Sequence, residues 1–234
     1  NNEVGTLQPI TEIAAITKSR GILLHSDAAQ SAGKITLDVD ALGVDLLTLA
    51  GHKFYAPKGV GALYVRKGTP IAPIQFGADQ EHGLRPGTEN VPLVVGLGAA
   101  ARYARERLPA ATEKLRLLRD ALHQLLMADI PELMLNGHPT ERLPNTLHVS
   151  FPGISGRELL ARVARVAASV GSACHADTDA VSGVLAAMGC DAGRARGAVR
   201  LSVGWMTTKE EVVAASMALS EGAMACMSGI EKDH

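Results

Sequence analysis

The sequence predicts an α/β fold, with a sheet-containing domain in the first half of the chain and a smaller α+β unit in the second half. Two observations support this prediction. Over about the first 70 residues, short apolar runs alternate with polar or turn-forming connections, which is typical of layered strands and helices. From Pro92 onward, longer stretches with helical periodicity predominate, interrupted by two strand-like runs.

The first half is expected to contain one helix and three strands. Ile13 and Ile16 recur at helical spacing after Pro9, which predicts the helix. The strands are short apolar runs bounded by turn-forming or polar residues, and a polar stretch between the first two resembles a helix. These elements are expected at residues 11–20 (helix), 22–25, 44–49 and 61–66 (strands), and 28–34 (polar stretch).

The second half is expected to contain amphipathic helices and two further strands. One helix carries a stripe of leucines, and the last helix begins with a capping box at Thr208 and Glu211. The helices are expected at 94–108, 113–127, 157–166 and 208–227, the strands at 146–151 and 199–203, and the stripe is Leu115, Leu118, Leu122 and Leu125. We place the domain boundary after residue 107, so that the domains span 1–107 and 108–234.

The composition excludes several classes of protein. A chain with 47% hydrophobic residues is not expected to be disordered. Because 23 Lys and Arg residues are balanced by 24 Asp and Glu residues, a basic face that binds nucleic acid is not expected. No apolar run is long enough to predict a membrane span. Three cysteines do not make a disulfide framework and suit a reducing cytosol, so we expect a cytoplasmic protein.

A carboxylate and an amine follow two successive predicted strands. Asp27 comes after the first strand and Lys53 after the second. Ligands of open α/β sheets bind at this edge, and pyridoxal phosphate (PLP) needs a lysine that bonds to it and an acid opposite its ring nitrogen. The pair therefore indicates a PLP site. A second interpretation stays open, in which Asp27 caps the following helix and Lys53 is a solvated loop residue.

Three further segments carry weaker signals, each with a structural interpretation beside the functional one. His52 either contacts a phosphate or is structural. The glycine-containing loop with Arg85 and Thr88 either binds an anion or simply starts the next helix. Arg200 lies in an apolar strand, where it either binds a substrate carboxylate or pairs with one of the chain's own acids.

Cys174 is the cysteine with the features of a reactive thiol. Its segment, Gly171 to His175, is polar and loop-like, which favours a thiolate. Cys190 and Cys226 lie in apolar stretches and are expected in the core. The Cys174–His175 pair lacks metal-ligand spacing, so no metal site is predicted.

Seven short motifs occur in a specific order over nearly the whole chain. They read Asn1-Asn2-Glu3-Val4-Gly5, His25-Ser26-Asp27-Ala28-Ala29-Gln30, Gly51-His52-Lys53-Phe54-Tyr55, Arg85-Pro86-Gly87-Thr88-Glu89-Asn90, Leu143-Pro144-Asn145-Thr146, Gly171-Ser172-Ala173-Cys174 and Arg200-Leu201-Ser202-Val203-Gly204. Together they resemble the cysteine desulfurases and selenocysteine lyases of the class V aminotransferase fold. The resemblance implies the PLP-dependent transferase fold type I, with this chain holding the latter half of the large mixed-sheet domain and a smaller α+β domain that carries the cysteine loop.

The resemblance implies roles for five residues at the cofactor. Lys53 would bond covalently to PLP and later move the Cα proton of the substrate. Asp27 would pair with the ring nitrogen, Gln30 would hydrogen-bond the ring hydroxyl and His52 would contact the phosphate. Thr88 would contact the phosphate of the neighbouring subunit's cofactor, which implies a homodimer.

The resemblance also implies a reaction. Asn2 would help to hold the substrate carboxylate or the ring hydroxyl, and Arg200 would clamp the carboxylate. Cys174 would take the sulfur atom of L-cysteine as a persulfide, with release of L-alanine, and would deliver it to an acceptor protein.

Departures from the desulfurase pattern keep further functions open. Ala50 stands where many desulfurases have a phosphate-binding Ser, and Trp205 stands where Arg is common. Ala50, Phe54 and the Cys174-His175 pair resemble the selenocysteine lyases, which would convert L-selenocysteine to alanine and selenide. Two more interpretations stay open as well, an ordinary aminotransferase and an inactive scaffold of this fold.

The chain begins at Asn1, in a loop-like segment and without Met. The resemblance places the preceding part of the large domain before Asn1, including a histidine that stacks on the cofactor ring and a Gly/Thr loop for its phosphate. We therefore expect a piece of a longer protein. The piece is expected to be inactive by itself, because it would expose sheet edge and core.

Overall fold

The computed structural model describes residues 1–170 and 182–229, and Cys174 lies outside the described residues. The chain divides into two compact units. The N-terminal unit is Gln8–Leu108, and the C-terminal unit is Asn1–Leu7 together with Pro109–His234. Residues 1–7, which the sequence pattern assigned to the first domain, therefore group with the second in the structure.

The N-terminal unit holds a mixed sheet of three strands in the order β1-β2-β3. Its elements are α1 (Ile10–Ser19), β1 (His25–Asp27), α2 (Val39–Leu42), β2 (Leu46–Ala50), a 3-10 helix (Gly51–Phe54), β3 (Gly61–Val65) and a second 3-10 helix (Gln80–Gly83). β1 and β2 are parallel, with Asp27 beside Thr48, and β3 is antiparallel to β2. Ala28, Val44 and Leu47 are the buried centre of its core.

Two predicted elements of this unit differ in the structure. The first strand begins at His25, three residues later than predicted, because the amide of Leu24 donates to the Asp45 side chain at 2.8 Å. The polar stretch 28–34 forms consecutive turns rather than a helix. Gly33 has a φ of 70°, a left-handed conformation that interrupts helical geometry.

One helix, α3 (Val91–Asp129), replaces the two helices predicted at 94–108 and 113–127. It contains Pro109, where the two units divide. Ala110 and Ala111 are strong helix formers, and they continue the helix through the segment between the two predicted helices.

The C-terminal unit holds an antiparallel sheet in the order β4-β5-β6. Its further elements are β4 (Met134–Leu135), β5 (Thr146–Ser150), α4 (Gly156–Arg162), α5 (Gly183–Ala187), α6 (Ala192–Arg196), β6 (Ala198–Ser202) and α7 (Lys209–Met227). The capping box predicted at Thr208 and Glu211 is confirmed at the start of α7. Across residues 1–170 and 182–229, no helix is long and apolar enough to cross a bilayer.

The leucine stripe of α3 is buried, with one correction. Leu115, Leu118 and Leu122 belong to the core, but Leu125 is 36% exposed and Leu126 is fully buried in its place. The step from Leu122 to Leu126 is one helical turn, so Leu126 faces the same side as Leu122.

Candidate active site

The C-terminal edge of the parallel strand pair carries two of the predicted residues. Asp27 is the last residue of β1, and Lys53 lies in the 3-10 helix that directly follows β2. β1 and β2 are hydrogen-bonded neighbours that run in the same direction, so both residues lie at the carboxyl ends of adjacent strands. Both are exposed. The edge therefore presents one amine and one carboxylate to a ligand.

The short helix that carries Lys53 is anchored by its own backbone and by one aromatic ring. The Gly51 amide donates to Val60 O at 3.0 Å, and a Cβ at Gly51 would lie 2.7 Å from the same oxygen, so this close approach requires glycine. Phe54 is buried, and Tyr55 ends the helix with a left-handed φ of 71°. These anchors leave His52 and Lys53 exposed on the helix surface.

Asp27 also caps the turns that follow it, whereas its structural interpretation predicted a cap on a helix. Its Oδ1 accepts from the Ala29 amide at 2.8 Å, and the Ala28 amide donates to Thr48 O at 3.0 Å. The second of these bonds holds the start of the 28–34 turns against β2. Gln30, half-buried, follows within these turns. Capping and ligand binding are compatible for Asp27, because a carboxylate has two oxygens.

Lys34 is a residue of this region that the sequence motifs did not reveal. Its Nζ donates to Gln30 O at 2.9 Å and to Lys53 O at 3.1 Å. Burial, and then the positive charge of Lys53, lower the pKa of Lys34 from 10.5 to about 8. The only sequence signal is its position, since it ends the connection that begins at Asp27.

The contacts in the loop of Arg85 and Thr88 support, in part, the interpretation that this loop starts the next helix. Arg85 Nε donates to Glu81 Oε2 at 2.6 Å, and the Gly87 amide donates to Gln80 Oε1 at 3.0 Å. Asn90 Oδ1 accepts from the Leu93 amide at 3.2 Å, which caps the start of α3. Thr88 is exposed between these contacts.

In the C-terminal unit, Asn2 and Arg200 are in direct contact. Arg200 Nη1 donates to the backbone oxygen of Asn2 at 2.7 Å. Arg200 is half-buried. Among the described residues, no carboxylate forms an ion pair with it, so the ion pair that its structural interpretation predicted is not found there. Its backbone pairs with Ser169 through two hydrogen bonds of 2.7 and 3.3 Å. Arg200 therefore borders the segment that leads toward Cys174.

A buried polar cluster lies beside Arg200. His148 is paired with Arg200 in the β5–β6 register and is fully buried. Its Nδ1 lies 3.0 Å from Asn136 Nδ2, and Arg194 Nε donates to Asn136 Oδ1 at 2.8 Å. On its other side, His148 Nε2 is 3.9 Å from Oε1 of buried Glu3, too far for a hydrogen bond. Burial first, and then the charges of Arg200 and Arg194, lower the pKa of His148 to about 4.

This shifted pKa predicts acid sensitivity. The folded state keeps His148 neutral down to about pH 4, whereas an unfolded histidine takes up a proton near its ordinary pKa of 6.5. Stability is therefore lost as the pH falls from about 6.5 to about 4, by about 3 kcal/mol in the free energy of unfolding. His148→Gln should lose correspondingly less over this range, as measured by urea unfolding of both proteins at several pH values.

Comparing the free energy of unfolding against pH for the wild type and for His148→Gln isolates the contribution of His148, since the carboxylates titrate in both proteins. His82→Gln is the matched control because His82 is exposed, and its curve should follow that of the wild type. Parallel curves for His148→Gln and the wild type would contradict the assignment.

The two cysteines in the described ranges pack against apolar residues, unlike the exposed, polar setting that is expected of a reactive thiol. Cys190 packs against the small cluster of Val4, Leu185 and Ala198, and Cys226 packs against the main core. Burial raises the pKa of the Cys226 thiol. Among the residues that the structure describes, no group of three His, Cys, Asp or Glu side chains could hold a metal ion.

Known proteins share both the sequence and the fold. The family model for aminotransferase class-V matches residues 1–214. The cysteine desulfurase IscS of Methanosarcina thermophila is 46% identical over 214 residues, which are 91% of this chain and 53% of that protein. This chain thus spans about half the length of the curated relatives it matches.

Solved structures of similar proteins have the same fold as this chain. A NifS-like protein from Rickettsia africae superposes with a TM-score of 0.86 at 31% identity, covering 95% of this chain and 59% of its own. A structure described as SspA in complex with cysteine has a TM-score of 0.67 at 36% identity, covering 87% of this chain and 56% of its own. The fold is therefore that of PLP-dependent fold type I enzymes. Because the family model for aminotransferase class-V matches most of this chain, the chain belongs to the class V aminotransferase family.

Proposed function

We propose that this chain is the cofactor-bonding and sulfur-accepting part of a PLP-dependent cysteine desulfurase. Class V aminotransferases depend on PLP. The observation that carries the proposal is the placement of Lys53 and Asp27 at the carboxyl ends of neighbouring parallel strands of one sheet. The names of the cysteine desulfurase relatives support the choice of substrate.

The residues present fit this cofactor. An exposed amine, an exposed carboxylate and an exposed imidazole (Lys53, Asp27 and His52) lie at the carboxyl ends of β1 and β2. PLP needs an amine that bonds to it and an acid beside its ring nitrogen, and an imidazole can contact its phosphate. Gln30 offers an amide for the ring hydroxyl. When bound, PLP would supply an electron sink for the charge that develops when the substrate Cα loses a proton.

The chain's own groups would then handle the proton and the sulfur. Lys53 Nζ would hold the cofactor and afterwards take the Cα proton of the substrate. Asp27, as a carboxylate, would stabilise the protonated ring nitrogen. Cys174, as a thiolate, would attack the substrate sulfur, because the thiol is a weak nucleophile.

The sulfur transfer balances without a further reactant. A new S–S bond forms at Cys174 while the C–S bond of L-cysteine breaks. The electron pair of that bond stays with the carbon, which takes a proton and leaves as L-alanine. The persulfide on Cys174 holds the sulfur for an acceptor protein.

Asn2 and Arg200 would form the carboxylate subsite in the C-terminal unit. Arg200 is held through its contact with Asn2, and its guanidinium still has donors for a carboxylate. Arg200→Ala should weaken substrate binding by about 2–5 kcal/mol, which raises KM by about 30-fold or more, with a smaller effect on kcat. Steady-state kinetics with L-cysteine measure this.

Two further variants make the Arg200 result specific. Arg200→Lys keeps the charge but loses bidentate geometry, so its KM should lie between those of the wild type and Arg200→Ala. Arg196→Ala removes an exposed arginine of α6 and should leave KM unchanged. An unchanged KM in Arg200→Ala would assign Arg200 a structural role.

The proposal extends to the organisation of the protein. The N-terminal unit would belong to the PLP-binding large domain, and the C-terminal unit would be the small domain with the cysteine loop. A homodimer would bring exposed Thr88 to the phosphate of the partner's cofactor. The protein would act in the cytoplasm.

One assay separates a desulfurase from a selenocysteine lyase and from an inactive scaffold. The chain is loaded with PLP and given L-cysteine or L-selenocysteine, and alanine and protein-bound sulfur are measured. Alanine and persulfide from L-cysteine support the desulfurase, whereas turnover of L-selenocysteine alone would identify a selenocysteine lyase. No PLP binding, including in a version preceded by the N-terminal half of a curated relative, would indicate an inactive scaffold.

A further inference from the structure

Lys34 joins the two segments that carry the proposed cofactor residues. One segment is the run of turns after β1, which contains Gln30, and the other is the 3-10 helix that contains Lys53. Lys34 Nζ donates to a backbone oxygen of each, at 2.9 Å to Gln30 and at 3.1 Å to Lys53. A single ammonium group thus bridges the backbones of both residues.

The acceptor at Lys53 is a suitable partner for a cation. Carbonyl groups at the end of a helix lack partners within the helix and carry partial negative charge. Lys53 is the third of four residues in its 3-10 helix, so its oxygen points out of the helix end rather than into a continuing helix. A hydrogen bond from an ammonium group to such an oxygen is stronger than one between neutral groups.

The bridge is made despite a cost. Lys34 is half-buried and close to the charge of Lys53, and both effects disfavour its charged form and lower its pKa to about 8. A solvated lysine would avoid this cost. The observed placement is explained if the contacts to Gln30 and Lys53 compensate for it.

The other anchors of the 3-10 helix that contains Lys53 are at Gly51 and Phe54. Gly51 is bonded to Val60 in the segment before β3, and Phe54 is buried. The Gly51 bond does not involve the turns that carry Gln30. Lys34 connects the helix to those turns directly.

We propose that Lys34 is a positioning residue, which fixes the backbone of Lys53 relative to Gln30 so that both side chains address one cofactor. This inference rests on the proposed function. It concerns Lys34 as a bridge, and it assigns the cofactor bond to Lys53 alone.

Hydrogen exchange in the cofactor-free chain tests the bridge itself. Lys34→Met keeps the length of the side chain and removes the ammonium, so peptides covering residues 51–57 should exchange at least about fivefold faster. Lys34→Arg restores a cationic donor and should recover most of the protection. Lys67→Met removes an exposed lysine of the same unit and should not change the exchange. Unchanged exchange in Lys34→Met would overturn the inference, whether or not the chain binds PLP.

Cofactor affinity tests the positioning role. Lys34→Met should weaken PLP binding at least about tenfold in a fluorescence titration, and Lys34→Arg should bind within about threefold of the wild type. The thermal midpoint of Lys34→Met should not fall, because the variant also removes a partly buried charge. Faster exchange with unchanged PLP affinity would show a merely structural bridge and overturn the proposal. Failure of the wild type to bind PLP, including in a version preceded by the N-terminal half of a curated relative, would instead contradict the proposed function.

Discussion

Lys53→Ala is expected to abolish the borohydride-reducible bond between the chain and PLP. The bond requires an amine at this edge of the sheet, and Lys53 is exposed there at the end of the parallel strand pair. Desulfurase activity should fall to the background, because the same Nζ is proposed to move the Cα proton. The visible absorption band and peptide mapping after borohydride reduction measure the loss.

The fold should survive this substitution. Lys53 is exposed, and a surface change of this kind alters the free energy of unfolding by about 0.5 kcal/mol or less. Lys58→Ala, which removes another exposed lysine five residues further on, is the matched control and should keep the band.

Peptide mapping is essential to the result because of Lys34. Its lowered pKa, about 8, leaves part of it as a neutral amine near neutral pH, and it lies beside Lys53. In the wild type, the reduced adduct should map to Lys53. An adduct that maps to Lys34 in the wild type, or a band that persists undiminished in Lys53→Ala, would refute the assignment of Lys53.

Cys174→Ala is expected to eliminate the protein-bound persulfide while PLP binding is retained. The sulfur acceptor must be an accessible thiolate, whereas the cofactor residues Lys53 and Asp27 lie in the other unit of the chain. Alanine production from L-cysteine should fall by at least about a hundredfold, since the sulfur would have no protein nucleophile. Labelled sulfur on the protein and the PLP absorption band are measured together.

The remaining cysteines provide controls for this experiment. Cys190 and Cys226 pack against apolar clusters, so Cys190→Ala and Cys226→Ala should both retain the persulfide. Labelled sulfur that remains on the Cys174→Ala protein would show a different acceptor. Undiminished turnover without any persulfide would favour an ordinary aminotransferase, which has no use for the thiol.

Local patterns account for what the sequence predicted correctly. The strand at 61–66 and the capping box at Thr208 and Glu211 are both present in the structure. Each depends on neighbouring residues: alternation or apolar runs for a strand, and a side chain three residues from its partner amide for a cap. The same kind of reasoning predicted that Asp27 and Lys53 lie at the ends of neighbouring strands, and their roles at a cofactor stay predictions.

Predictions were wrong where local preference is weak. The leucine stripe was assigned to Leu125 instead of Leu126, an error of one residue that is easily made where leucines are adjacent. The 28–34 stretch has a helical composition, but Gly33 in the left-handed region and the bond from Ala28 to Thr48 of β2 favour turns. A single residue of this kind outweighs a modest helix propensity.

The sequence by itself determined the family motifs, the order of the strands along the chain and the chemical groups that follow them. The tertiary structure decided which of these groups meet. Arg200 contacts Asn2 across 198 positions, and Lys34 bridges Gln30 and Lys53 through backbone oxygens that any residue type would provide. Neither contact has a signature in composition or spacing. The physical reason is that periodicity and capping act over a few residues, whereas strand pairing and burial bring distant backbone groups together.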